Sequence, residues 1–459
     1  MLQFVRCFHF LAAIPLCTVA ALPASVQTIN ESLKLIASDA MGAEHFGTSV
    51  AISGTTAIVG ADHDYDGGLL SSGSAYIFDT VTGQELFKLN SSDIAEFDKF
   101  GYSVAISGTT GIVAAIGDSD AGFGSGSVYI FNTTTGQELS KITASDAASG
   151  AAFGTSVAIS ETTLIVGAFG NNDWGSDSGA AYIFNTTNGQ QFYKFTASDA
   201  NANDRFGWSV AIFGTTAVVG APLNDDDGNA SGSVYIFDTV TGQELFKLTA
   251  SDAAAGDRFG SSVAIYGTTA IVGAYGNNDG GNDSGSAYIF NTTSGKELFK
   301  LTVPDAVADT KFGSSVAVSG TTAIIGAIGD SGVFANSGSA YIFDTATGLE
   351  LYKLAASDPV YSQSFGFSVA ISGSTAFVGA KGDNDAGNGA GSAYVFNDIF
   401  DSTSCPADLN EDDSLNFLDV SAFLAAFKAQ DPLADFEPDG SYNFLDVSAF
   451  LAAYAAGCP

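Results

Sequence analysis

Apolar residues along this chain fall in short runs separated by polar turns, and the pattern repeats. From Phe46 the chain reads FGTSVAISGTTAIVGA, then a polar loop, then SGSAYIFDTVTGQELFKL and a Ser-Asp-Ala step into the next Phe-Gly. Val50 and Ile52 alternate with small residues, as in a strand with one apolar face, and Ala57 to Val59 form an apolar run too short for a helix. Ala75 to Phe78 and Leu86 to Leu89 carry β-branched and aromatic residues. Each unit therefore predicts four short strands. Ser53-Gly54-Thr55-Thr56 forms a tight link between the first two, and Gly83 supplies positive φ in the hairpin joining the last two.

The Phe-Gly pair recurs at Phe46, Phe100, Phe153, Phe206, Phe259, Phe312 and Phe365, spaced by 54 residues once and 53 five times. Seven four-stranded antiparallel units predict an all-β fold, a seven-bladed β-propeller over residues 31–397. A β-solenoid, the competing repeat fold, has much shorter coils. The seventh unit ends at Tyr394-Val395-Phe396 without a fourth strand, and Glu31 to Ala40 matches Glu244 to Ala253 at seven of ten positions. The N-terminal strand is thus expected to complete the last blade and close the ring, pairing an edge otherwise left open.

The ends of the chain read differently. Arg6 precedes the apolar stretch Phe8 to Leu22 and the small residues Ala20, Ala21 and Ala24, the outline of a secretory signal peptide over residues 1–24 with cleavage within 20–27. No later segment reaches the ~20 apolar residues that span a bilayer, so a secreted or cell-surface protein without a membrane span is expected. Residues 398–404 read as a linker. Beyond it, Asp408 to Asp419 recurs 27 residues later as Asp435 to Asp446, and both copies run into Val-Ser-Ala-Phe-Leu-Ala-Ala, an apolar helix. Asp408, Asn410, Asp412, Ser414, Asn416 and Asp419, with Asp435, Glu437, Asp439, Ser441, Asn443 and Asp446, place oxygen donors along two loops that feed helices. That is an EF-hand-like calcium arrangement, so calcium is the expected cofactor. Cys405 and Cys458 bracket this segment, and such a pair in an exported chain reads as a disulfide.

Composition narrows the partners. Fifteen Lys plus Arg against 50 Asp plus Glu give a formal charge of -35, which excludes nucleic acid as an ordinary ligand. With 46% hydrophobic residues, 36 Phe and 16 Tyr, the chain has ample side chain for a large core. Acidic clusters fall between the second and third strands, among them Asp62, Asp64 and Asp66, and Asp225, Asp226 and Asp227. They offer hard oxygen ligands for a cation, or they are solvated turns whose Asp and Asn satisfy local backbone donors; both readings stand. Asp39, Asp93, Asp146, Asp199, Asp252, Asp305 and Asp358 each lie seven residues before a Phe-Gly. Identical placement in every unit predicts capping of the loop between blades through backbone amides.

The units resemble the FG-GAP repeats of integrin-α-like propellers, particularly the bacterial version in exported surface proteins. The resemblance rests on the Phe-Gly pairs and on Val59-Gly60-Ala61, Val166-Gly167-Ala168, Val219-Gly220-Ala221 and Val272-Gly273-Ala274. It implies a monomeric binding or adhesion propeller whose glycan or protein ligand meets the face carrying the acidic loops. That face is expected to favour a cation, a cation-bridged glycan or a basic protein surface. The family's calcium cage between first and second strands is replaced here by Ser-Gly-Thr-Thr, so those sites do not carry over. The last segment, ending in Gly457-Cys458-Pro459, resembles a dockerin of the cysteine-bracketed type. That resemblance implies calcium-ordered helices and a cohesin-like or surface-anchoring partner. The partner would read Phe417, Leu418, Phe444 and Leu445, residues that serve equally as packing between the two helices. Asp413 in place of a turn glycine and Glu437-Pro438 depart from the pattern.

No catalytic spacing is visible. Beyond His9, only His45 and His63 remain, both in loops of the first unit, without a Ser-His-Asp, Cys-His or zinc pattern. A non-catalytic protein is expected. A carboxylate-based lyase or glycosidase is the rival reading, with Tyr65, Trp174, Tyr275 and Phe334 placed to stack on sugars. A structural envelope component is the third.

Overall fold

The computed structural model describes residues 27–332, 334–399, 407, 409, 415–430, 434, 436 and 441–456. The signal segment 1–24, the two cysteines and much of the tail's loops lie outside these residues. Strands β1 (Gln27–Ile29) and β2 (Leu33–Leu35) precede the first complete blade, which comprises β3 (Ser49–Ser53), β4 (Thr56–Ala61), β5 (Ser74–Asp79) and β6 (Glu85–Leu89). Four strands of each of the first six blades form an antiparallel meander in sequence order, and the seventh blade follows the same plan for its first three strands, giving seven sheets. The tight link and the hairpin form as expected, with Gly54 at φ 59° and Gly83 at φ 73°.

Burial follows position in the blade. The second strand is buried along nearly its whole length because a sheet covers it on each side, whereas β6, the outer edge, is half-buried apart from exposed Leu86 and buried Leu89. The first strands of all seven blades pack against one another around the axis. Between blades, Ile58, Ile77 and Leu89 of the first close on Phe100, Val104, Val113 and Tyr129 of the second. Phe100 is fully buried and meets Tyr129 and Phe131 edge-on, with ring centroids 5.4 and 5.9 Å away. Its partner Gly101 has φ 90°, and a Cβ there would lie 2.2 Å from the Ser74 carbonyl oxygen. Gly60 faces it across the blade junction, where a Cβ would lie 1.9 Å from the Gly101 carbonyl oxygen. The glycines of Phe-Gly and Val-Gly-Ala are thus two sides of one backbone contact.

The ring closes as expected: β2 pairs antiparallel with Ser392–Phe396, Leu33 opposite Val395 and Leu35 opposite Ala393. The chain also does something its repeat pattern does not announce. β1 lies parallel to Glu350–Leu354 and adds a fifth strand to the sixth blade, so the N-terminal segment ties together two adjacent sheets. In the tail, helices α1 (Phe417–Ala429) and α2 (Phe444–Ala456) pack through Phe423 and Phe450, whose rings stack 4.1 Å apart.

Candidate functional site

One polar cluster recurs on the same face of all seven blades. The fourth strand of each carries a lysine, Lys88 in β6, whose neighbours in register are Tyr76 of β5 and the two loops at that end. Lys88 Nζ lies 2.6 Å from Asp39, 2.9 Å from Asp64 and 3.0 Å from Asp66. Lys141 repeats this with Asp93, Asp118 and Asp120, at 2.6, 2.8 and 2.6 Å. Lys34, on the closing strand, does so with Asp358, Asp383 and Asp385. Lys194 pairs with Asp146 and Asp173, Lys247 with Asp199 and Asp226, Lys300 with Asp252 and Asp279, and Lys353 with Asp305 and Asp330. Beneath the ammonium, the buried Tyr76 hydroxyl donates to Asp39 and Asp64 at 2.9 and 3.2 Å. Burial pulls the Asp39 carboxyl upward, but the Lys88 and Tyr76 hydrogen bonds outweigh it and hold the acid below its ordinary range. Lys88 is pushed upward in turn: burial opposes its charge, and the three carboxylates more than compensate.

This geometry corrects one expectation. The acids seven residues before each Phe-Gly bind chiefly lysine ammonium and tyrosine hydroxyl groups, and the backbone amide that Asp39, Asp93, Asp146, Asp199 and Asp252 meet is their own rather than one across the loop, because the facing strand brings a cation within reach. A lysine at the same place in every fourth strand was the signal in the sequence that could have revealed it. The acidic trios are also divided. Asp64 and Asp66 hold Lys88, while Asp62 turns to His45 and His63. Asp226 holds Lys247, Asp225 accepts from the Ala230 amide at 2.7 Å, and Asp227 is exposed.

Of the six remaining cations of the propeller, Lys296 is exposed at the start of an outer strand and the other five form an inner circle. The residue before each Phe-Gly has positive φ in every blade and is His45, Lys99, Ala152, Arg205, Arg258, Lys311 or Ser364. These positions stand at the entrance to the seven first strands, around the mouth of the central channel. Among the described residues, Lys99, Arg205, Arg258, Lys311 and Lys381 have no carboxylate within 4 Å, unlike the seven lysines outside them. Aromatic rings sit among them. The Arg205 guanidinium lies 5.4 Å from the Phe169 ring centroid and 5.5 Å from that of Trp208, and its buried Nε has no hydrogen-bond partner. Arg258 lies over Tyr275 and donates to its hydroxyl at 2.5 Å. Arg205, Trp208, Arg258 and Tyr275 line one cavity of about 190 Å³.

A second cavity, of about 320 Å³, lies across the ring and is lined by His45, Asp62, His63, Lys99, Tyr102, Phe367 and Lys381 among others. Burial holds Lys381 below the ordinary lysine range. The first blade departs from its siblings here, because its loop is one residue longer and carries Asp62-His63 where the second blade has Ile116-Gly117 and the third Phe169-Gly170. The two histidines, separate in sequence, meet with ring centroids 4.3 Å apart. Of the other residues noted for stacking, Tyr65, Trp174 and Phe334 are exposed on the outer loops and Tyr275 belongs to the first cavity.

In the tail, both helices begin with the same device. The Asn416 side chain accepts from the Leu418 amide at 2.7 Å and Asp419 accepts from the Asn416 amide at 2.8 Å; Asn443 and Asp446 repeat this, each bond at 2.8 Å. Asp419 and Asp446 are fully buried at the last position of each ligand loop. A buried carboxylate beside an asparagine suits a hard cation such as calcium, which Asn416, Asp419, Ser441, Asn443 and Asp446 would help to hold. Asp408, Asn410, Asp412, Ser414, Asp435, Glu437, Asp439, Cys405 and Cys458 lie outside the described residues. Phe417, Leu418, Phe444 and Leu445 are 77%, 58%, 79% and 57% exposed, so inter-helix packing falls to Phe423 and Phe450 instead.

No helix among the described residues is long and apolar enough to cross a membrane. No characterised protein matches the chain closely enough to count as a relative. The FG-GAP repeat model, in contrast, matches seven times, over residues 29–78, 84–131, 137–184, 190–237, 243–290, 296–343 and 349–396. Those matches cover most of the chain, one per blade, and the chain belongs to the FG-GAP repeat family.

Proposed function

We propose that this protein is an exported, non-catalytic binding or adhesion propeller that captures an acidic glycan at its channel mouth, and that a calcium-dependent, dockerin-like tail attaches it to a surface or extracellular complex. The observation that carries the ligand reading is the inner circle of cations without carboxylate partners, set among Phe169, Trp208 and Tyr275. Guanidinium groups recognise carboxylate or sulfate, and aromatic faces stack on sugar rings. The outer ring still holds more carboxylate than lysine, so it repels a long polyanion. A small or terminal acidic sugar reaching the centre escapes that repulsion. The sequence favoured a cationic partner for this face, and the paired lysines move the preference to an anion. For the tail, exposed Phe417, Leu418, Phe444 and Leu445 offer an apolar patch to a partner.

The test is binding of uronate-terminated and neutral oligosaccharides to the full chain and to an Arg205→Gln, Arg258→Gln double variant. Salt-sensitive binding of the acidic sugars, weakened at least tenfold in the variant, is expected. Equal binding of neutral sugars by both proteins refutes the ligand reading. For the tail, Phe417→Ala with Phe444→Ala should abolish calcium-dependent capture of an envelope partner while leaving sugar binding intact.

A further inference from the structure

The cavity of the first blade holds a second binding chemistry. We infer that His45, Asp62 and His63 form a site for a first-row divalent metal of the zinc type, open to the cavity on its free side. One candidate ligand atom from each residue lies within 4.8 Å of the other two. His63 Nδ1 is 3.0 Å from one Asp62 oxygen and His45 Nδ1 is 4.0 Å from the other. A metal with bonds of about 2.0–2.2 Å to nitrogen and oxygen spans such a set after small side-chain rotations. Two imidazoles and one carboxylate suit a borderline ion, whereas calcium prefers oxygen alone.

An independent observation points the same way. Asp62 is only 4% exposed, yet its Oδ1 has no hydrogen-bond partner, and the buried His63 Nδ1 has none either. A buried carboxylate oxygen without a donor is costly unless a ligand completes it. The surroundings hold the residues in place. The His63 amide donates to the Glu44 carbonyl at 3.3 Å, which fixes the two loops that carry the histidines against each other. Lys381 and Lys99 line the same cavity without pairing with Asp62, so the carboxylate is not already neutralised in the way Asp64 and Asp66 are. With three protein ligands, the metal keeps open positions toward the cavity, where a carboxylate or water completes the shell. The site is confined to one blade of seven, and the side chains that build it are the ones that break the repeat.

The probe is the metal itself, on chelator-treated full-length protein. Zinc is titrated by calorimetry into the wild type and into His45→Ala, Asp62→Asn and His63→Gln, with circular dichroism confirming that each variant folds. Copper(II) added in parallel reports imidazole nitrogen through its EPR couplings. We expect one equivalent of metal in the wild type that weakens at least tenfold in each variant, with nitrogen coupling lost in steps as the histidines are removed. Metal bound by the tail is common to all four proteins and cancels in the comparison. The inference is overturned if the variants bind zinc in the same number and strength as the wild type, or if the copper signal carries no nitrogen coupling.

Discussion

The seven lysines occupy the position of bound cations, and removing one should turn its cage into a calcium site. Lys141→Ala is the sharpest case. Its ammonium is 2.6, 2.8 and 2.6 Å from Asp93, Asp118 and Asp120, whose oxygens come within 4.8 Å of one another. Removing one partner from a buried ion pair costs about 3–5 kcal/mol, and the lower end applies because Asp93 and Asp120 keep much of their water. An unfolding entropy of about 2.1 cal/mol/K per residue over roughly 370 propeller residues gives about 0.8 kcal/mol/K, so ~3 kcal/mol lowers the melting midpoint by about 4 °C. Calcium at ~10 mM against a dissociation constant of ~1 mM returns about 1.4 kcal/mol, or about 2 °C. The assay is differential scanning calorimetry of wild type and variant, each with calcium and with chelator. Calcium acting on the tail raises both proteins alike, so the difference between them is the readout. A variant that melts with the wild type, or gains nothing extra from calcium, refutes the view that lysine serves as the resident cation.

Other outcomes follow from the packing and the charges. Phe206→Ala empties a fully buried wedge that meets Tyr235 and Phe237 edge-on, and chemical denaturation should show a loss of about 3–5 kcal/mol. Gly101→Ala should cost about 3 kcal/mol or more, since its Cβ would stand 2.2 Å from the Ser74 carbonyl oxygen at a φ of 90°; an unchanged denaturation midpoint would contradict the blade-junction contact. Burial, reinforced by Asp118 and Asp93 against the pull of the Ala95 amide and Lys141, pushes the Asp98 carboxyl up to about 6. The folded chain keeps that proton to higher pH than an unfolded chain with an ordinary value of about 3.9, so the group increasingly opposes folding as pH rises through about 6. Asp98→Asn should therefore gain on the wild type between pH 4.5 and 7.5 in urea melts, and a pH-independent difference would contradict this.

What the sequence by itself determined is the part of the molecule encoded locally. Alternation along Val50 and Ile52, the apolar run Ala57 to Val59 and the turn glycines Gly54 and Gly83 each act within a few residues, and repetition made them legible seven times over. The closing strand was legible because Glu31 to Ala40 is a displaced copy of the fourth-strand segment it replaces. Tertiary structure decided which distant side chains share a face. Lys88 meets Asp39 and Asp64 only because two different loops converge at one end of the blade, and no linear spacing reports that convergence. The same holds for His45 and His63, unremarkable in sequence and joined at Asp62 where the loops before β3 and after β4 meet at one end of the first blade. β1 carries no copy of the repeat, so its place on the sixth blade depends on the open sheet edge it meets rather than on its own pattern. Electrostatics changed most. The sequence supplied a net charge, but only the fold could set seven lysines into carboxylate cages and gather Lys99, Arg205, Arg258, Lys311 and Lys381 near the axis without carboxylate partners, because charge interacts through space and not along the chain.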